Sequence, residues 1–289
     1  DSNNNRIRRL DMSTGIITTI AGGGTSSDDG VAATDAALQG PQQAYYDKHS
    51  GDIFIVELTN KKIRRVYASN NTITTIAGKC TNNVNNGDGG AAISACLLSP
   101  SYIAMNEIGE LFVLEENAKI IRRVNLKGNI ETVAGLGSKN GNGTVKDVKL
   151  NLPHSIALTQ SGELLADDGP RGIGYIEKRD HDGFWHTIAG GGRGSVTSDD
   201  ALATTVSILP FGVAQANDGS EDIFICESSY IRKLTLVKCY GEKSNKASVC
   251  SGHGSCVAPD QCECDEGWMG VDCSITHCFG FTSNIFDQV

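Results

Sequence analysis

Within its 289 residues the sequence has no apolar run approaching the 18 that a membrane-spanning helix requires. It also has no basic stripe: 25 Lys and Arg stand against 34 Asp and Glu, and the net charge of −9 is spread without a block of like charge. That balance argues against binding to nucleic acid or an anionic membrane. The opening residues, DSNNNRIRRL, lack the apolar stretch of a signal peptide, so the expectation is a removed leader or a piece of a longer chain. Cysteine is scarce over most of the length. Only Cys80, Cys96 and Cys226 fall in the first 238 residues, while seven cysteines crowd between Cys239 and Cys278. A hydrophobic fraction of 39% with 20% charged residues is enough for a folded core and too apolar for disorder.

What is abundant is repetition. The phrase ITTIAG occurs at 17–22 and again at 73–78, with IETVAG at 130–135 and WHTIAG at 185–190. Aligned on Ala21, Ala77, Ala134 and Ala189, the steps are 56, 57 and 55 residues, a period that points to a solenoid or propeller. Each unit has the same parts in order: a proline (Pro41, Pro100, Pro153, Pro210) opening an apolar strand, then GDIFIVE or its counterpart, then KIRRV or its counterpart, then the TIAG phrase. The connections ASNN, NLKGN and DHDG carry the Asn, Asp and Gly of tight hairpins. Short strands rich in Ile, Val and Phe between such turns predict a four-stranded antiparallel meander. A sheet apolar on both faces must stack on copies of itself, and radial stacking is a β-propeller.

The stretch GDGGAAISACLLSPSYIAMNEIGELFVLEENAKIIRRVNLKGNIETVAG (87–135) resembles the NHL repeat, and the resemblance covers residues 1–238. It implies an all-β, NHL-type β-propeller. About four units are present, beginning on a third strand, whereas propellers of this kind usually close with six blades. The expectation is therefore a domain whose N-terminal blades are missing from this chain. The alternative is that residues 1–22 lend the last unit its fourth strand.

From Cys239 the order Cys239, Cys250, Cys256, Cys262, Cys264, Cys273 includes CSGHGSC and CECDEGWMGVDC. Spacing alone leaves 15 connectivities for six cysteines. The segment 239–273 resembles an EGF-like module of the tenascin and teneurin kind, such as occurs in large extracellular proteins of protists, and 274–289 resembles the start of a second. That resemblance implies the pairs Cys239–Cys256, Cys250–Cys262 and Cys264–Cys273, and it makes Ser255 a candidate for O-fucose. Zinc is the competing reading of clustered cysteines, but CEC is tighter than the usual ligand spacing. Cys80 and Cys96 flank a loop with no counterpart in the other units, and a disulfide is expected to close it. Cys226, inside IFICE, reads as a small buried hydrophobe. Dense disulfides imply an extracellular setting, secreted or at the cell surface. Two sequons, at Asn70 and Asn142, agree with it and make N-linked glycans possible partners.

No cofactor, metal ligand or catalytic residue is assigned. In the Arg pairs Arg8/Arg9, Arg64/Arg65 and Arg122/Arg123, neighbouring strand residues point to opposite faces, so one Arg of each is expected to be partly buried for structural reasons. The six histidines include His154 and His186 at non-equivalent positions, which builds no three-His site. The sequence thus suggests a non-catalytic extracellular structural or adhesion protein. Its propeller and EGF stalk would assemble with other proteins or with copies of itself, as in a filament. A secreted propeller enzyme of lyase or hydrolase type and a receptor ectodomain are the alternatives.

Overall fold

A computed structural model describes residues 1–80, 87–138, 143–144, 147–169, 174–192, 203–216, 220–235, 238–239, 242–243, 249–258, 261–266, 268–269 and 273–276. The chain forms two compact units, Asp1–Lys233 and Leu234–Val289, a division a few residues before the cysteine-based boundary at 238.

The first unit is a succession of antiparallel meanders, here called blades I to V. Blade I holds β1 (Arg6–Leu10) and β2 (Ile17–Gly22). Blade II holds β3 (Pro41–Tyr46), β4 (Ile53–Glu57), β5 (Lys62–Val66) and β6 (Ile73–Ala77). Blade III holds β7 (Pro100–Met105), β8 (Leu111–Glu115), β9 (Ile120–Val124) and β10 (Ile130–Ala134). Blade IV holds β11 (Ile156–Leu158), β12 (Leu164–Asp168), β13 (Tyr175–Arg179) and β14 (Trp185–Gly190). Blade V holds β15 (Pro210–Gln215), β16 (Ile223–Glu227) and β17 (Ile231–Leu234). Strands pair in chain order within each sheet. The first strands touch one another in sequence, β3 on β7, β7 on β11 and β11 on β15, so they form the inner ring of a propeller. Because β2 pairs with β1, it does not complete blade V, contrary to the alternative closure.

The repeated phrase has a geometric cause. In blades I to IV the pairing of third and fourth strands shifts register just before the repeated Ala, at Ile7/Arg8, Ile63/Arg64, Thr132/Ala134 and Ile176/Glu177. A bulge at that point bends the strand and increases its twist. The four alanines are buried, and the glycine after each takes a positive φ, between 82° and 94°. A Cβ on Gly78 would stand 2.2 Å from Lys61 O, and one on Gly135 would stand 2.1 Å from Lys119 O. Only glycine fits that crossing.

The core lies between blades. Phe54, Val56 and Ile63 of blade II pack on Leu97, Ile103, Leu111 and Val113. Phe112, Leu114 and Ile121 of blade III pack on Leu150, Ile156, Ala166 and Trp185. Trp185 is fully buried, and its Nε1 donates to Val133 O across the blade III–IV boundary. Each apolar row on one sheet is covered by the next, which is why a single meander is unstable alone.

Two expectations fail. Cys226 is exposed, not buried. It occupies the row of Val56 and Leu114, and among the described residues no further sheet covers that row in blade V. Arg8 and Arg9 are both exposed, because β1 pairs only with β2 and lacks the flanking strand that buries Arg64 and Arg122.

The second unit contains β18 (Lys238–Cys239), β19 (Glu242–Lys243), β20 (Gly254–Ala258), β21 (Gln261–Cys264), β22 (Trp268–Met269) and β23 (Ile275–Thr276), joined in three two-stranded ladders. Among the described residues of this unit, Cys250 and Cys273 are buried, with Cys262, Cys264 and Trp268 packed against them. Disulfides are the usual support of so short a module. Among the described residues no helix is long and apolar enough to cross a membrane.

Candidate functional site

Polar groups are buried at two places in the propeller, the first of them recurring from blade to blade. The first lies where the second strand ends. In blade II, Arg64 Nη1 donates to Glu57 Oε1 at 3.1 Å and Nη2 reaches Asp29 Oδ1 at 3.4 Å. Thr75 supplies Asp29 with a backbone and a hydroxyl hydrogen bond, and Lys79 lies 2.5 Å from its other oxygen. Burial works against ionisation of Asp29, yet the bonds from Lys79 and Thr75 hold its carboxyl below the usual range. Blade III repeats the set: Arg122 binds Glu115 at 3.2 Å and Asp88 at 2.5 Å. In blade V, Arg232 Nε lies 2.7 Å from Glu227 Oε1. The GDGG linker (87–90) is explained here: Asp88 meets Arg122, and Gly89 N–H donates to Ile130 O.

Blade IV breaks the pattern. Backbone register pairs Arg64 with Ile55 and Glu177 with Ala166, so Glu177 stands where the other blades carry the arginine. The acid at the end of the second strand is Asp168. Two buried carboxyls therefore share one face, and among the described residues neither is joined to a guanidinium. Asp168 accepts from Asn151 N, Leu152 N and Asn151 Nδ2, and Glu177 accepts from Thr187 Oγ1 on both oxygens. Burial raises the carboxyl of Asp168, and it raises that of Glu177 to about 7, with the Asp168 charge adding to the rise and the Thr187 bonds opposing it.

The second place is the inner end of the same blade. Asp167 is fully buried on the opposite face of β12, in the row of Val56 and Leu114. It accepts from His154 N and Ser155 N, both at 2.7 Å, and from Ser155 Oγ at 3.2 Å. Burial pushes its carboxyl up to about 6 against those hydrogen bonds and the charge of His154. Ser155 Oγ accepts in turn from Val213 N of blade V at 2.9 Å. The His154 ring lies against Phe211, centroids 5.4 Å apart, and Tyr102 of blade III has its hydroxyl raised by burial and by Asp167. His154 and Ser155, from the turn before β11, and Asp167, from β12, are thus gathered together.

The other sequence candidates are placed as follows. His186 lies on β14, at the far edge of the sheet from β11, with Nε2 3.1 Å from Asp180 Oδ2. Three strand spacings, about 14 Å, separate it from His154, so the two share no metal. Cys80 and Cys96 are joined in a disulfide, as are Cys250 with Cys262 and Cys264 with Cys273. The sulfurs of Cys250, Cys262 and Cys273 lie within 4.8 Å of one another, but each is already covalently paired. The side chains of Cys239 and Cys256, and that of Ser255, lie outside the described residues, as does Asn142. Asn70 is exposed in the β5–β6 turn, and its Oδ1 accepts from Thr72 N and Thr72 Oγ1. Sequence reasoning missed Asp167, Asp168 and Glu177. The visible signal was that ADD and YIEKR replace the apolar-Glu and Ile-Arg-Arg patterns of the sister units.

Residues 243–273 match the model of the EGF-like domain. A stretch of 104 residues is 38% identical to human teneurin-4, and equally to that of mouse, covering 30% of this chain. The chain spans about 4% of the length of those curated relatives. Among solved structures, a chain of a nidogen/laminin complex superposes with a TM-score of 0.52 at 15% identity, covering 80% of this chain and 71% of that one. A Bacteroides thetaiotaomicron protein of unknown function superposes with a TM-score of 0.51 at 16% identity, covering 81% and 64%. These likenesses establish the fold of the first unit, as the sequence match does for the second. The chain is an all-β protein in which a β-propeller is followed by an EGF-like domain.

Proposed function

We propose that this chain is a non-catalytic extracellular protein whose propeller and EGF-like module mediate protein–protein assembly. The observation that carries this reading is the state of Ser155. Its hydroxyl donates to Asp167 and accepts from Val213 N, so it has no proton path to His154, and a serine held in that way is not an activated nucleophile. This Ser, His and Asp grouping is therefore spent on joining blade IV to blade V. Three disulfides support an oxidising, extracellular or cell-surface setting. The similarity to teneurin-4 and the EGF-like match support a role in protein recognition. Self-association and N-linked sugar on Asn70 belong to the same reading.

The test is sedimentation velocity and electron microscopy of the purified chain, together with a hydrolysis and elimination screen on esters, lactones and cyclic peptides. Concentration-dependent assembly or capture of a defined extracellular partner, without turnover, is the expected result. Turnover that is lost in both His154→Ala and Ser155→Ala would overturn it.

A further inference from the structure

Arg64, Arg122 and Arg232 neutralise the acid that ends the second strand in blades II, III and V. The linker supplies a further acid, placed by the glycine that follows it. Gly30 N–H donates to Ile73 O, Gly89 N–H to Ile130 O and Gly143 N–H to Trp185 O, and these acceptors are the first residues of β6, β10 and β14. The residues preceding those glycines are Asp29, Asp88 and Asn142, so in sequence the linker acid becomes an amide where the arginine becomes Glu177. Both changes remove the reason for a guanidinium, and neither removes Asp168. Two carboxyls buried on one face, with no cation paired to either among the described residues, cannot both ionise at ordinary cost.

Among the described residues, Asp168 is the charged group acting on Glu177. From β14, Thr187 donates a neutral hydroxyl. Further along β13, Arg179 is acted on by Arg123, Glu131 and Glu110 of blade III and by Asp180. Lys178 points to the other face and binds Glu163, and on the linker Asp147 accepts from Thr144. On the opposite face of β12, Asp167 is held by His154 and Ser155.

We propose that the Asp168–Glu177 pair makes blade IV a proton-dependent element: a protonated Glu177 takes the place that a guanidinium fills in the sister blades, and loss of that proton loosens blade IV. A carboxyl bound more tightly to its proton in the folded than in the unfolded chain stabilises fully at low pH. That stabilisation declines as pH rises from the ordinary carboxyl range towards about 7. The propeller is then held more firmly in mildly acidic than in neutral medium, the reverse of the usual behaviour of paired carboxylates.

The test is urea unfolding of the full chain from pH 5 to pH 8, followed by tryptophan fluorescence, for wild type, Glu177→Gln and Asp168→Asn. Relative to Glu177→Gln, the wild-type unfolding constant is expected to rise on the order of a hundredfold across that range. Asp168→Asn should shift the remaining pH dependence to lower pH. Asp167→Asn serves to separate the group on the opposite face. Parallel profiles for wild type and Glu177→Gln would overturn the proposal. If Glu177→Gln does not fold, amide exchange in the wild type replaces it: after correction for intrinsic rates, opening of β13 and β14 should increase between pH 5.5 and 7.5 more than opening of β5 and β6. Equal increases in the two blades would sink the idea.

Discussion

Arg122 and Glu115 meet at 3.2 Å with neither side chain reached by solvent. A buried pair of this kind adds little over a well-packed apolar pair, but removing one partner strands the other charge. Arg122→Met should therefore cost about 3–5 kcal/mol in urea unfolding. Arg123, whose guanidinium is about one-third exposed and paired with Glu131, should cost under about 1 kcal/mol when changed to Ala. Equal losses at the two positions would refute the division of labour along β9.

Asp167 should respond to pH on its own account. Its carboxyl is raised by burial to about 6, so it destabilises as pH climbs from about 4 to 6 and the effect is complete above that. Asp167→Asn should flatten this part of the profile while keeping an acceptor for His154 N and Ser155 N. Asp167→Leu copies the Leu114 of blade III but leaves those two amides and the Ser155 hydroxyl unpaired, and a loss of about 2–4 kcal/mol is expected. A thermal melt series over pH 4–7 distinguishes the three.

The Cys80–Cys96 bridge closes a loop with a sequence separation of 16. On the chain-entropy model its removal by Cys80→Ser with Cys96→Ser should cost about 3 kcal/mol. Because this loop belongs to one blade boundary, the double variant should still fold, and circular dichroism should keep its β-sheet signature.

Cys226 is the free and exposed thiol among the described cysteines. A maleimide applied to the native chain should modify it without denaturant, and peptide mass mapping should place the adduct on the segment that contains IFICE. Labelling that requires unfolding would contradict the exposed position on β16.

Asn70 is exposed in a hairpin turn, so chain expressed in a secretory host should carry sugar there. Glycosidase treatment should lower the mass by one glycan in a variant lacking Asn142, and Asn70→Gln should abolish that shift.

Much of this architecture could be read from residue order. The spacing of Ala21, Ala77, Ala134 and Ala189, the prolines at strand starts and the turns rich in Asn, Asp and Gly are local features. Local features have local consequences, namely strand, hairpin and crossing glycine. The cysteine break likewise marked where a second kind of fold begins. The buried acids were not legible in the same way. ADD and YIEKR look like drift from a repeat until strand register places Glu177 opposite Ala166, in the position of Arg64. Cys226 was misread because its burial depends on a neighbouring sheet and not on its own strand.

By itself the sequence determined the repeating meander, its hairpins, and the disulfide-rich character of the second unit, since strand period, turn chemistry and cysteine density act over a few residues. Tertiary structure alone decided which charges face each other. Glu57 meets Arg64, Glu115 meets Arg122 and Asp168 is left with Glu177 because pairing across strands, together with a bulge, selects the face on which each side chain lies. Whether a carboxyl there keeps its proton follows from the company that face provides.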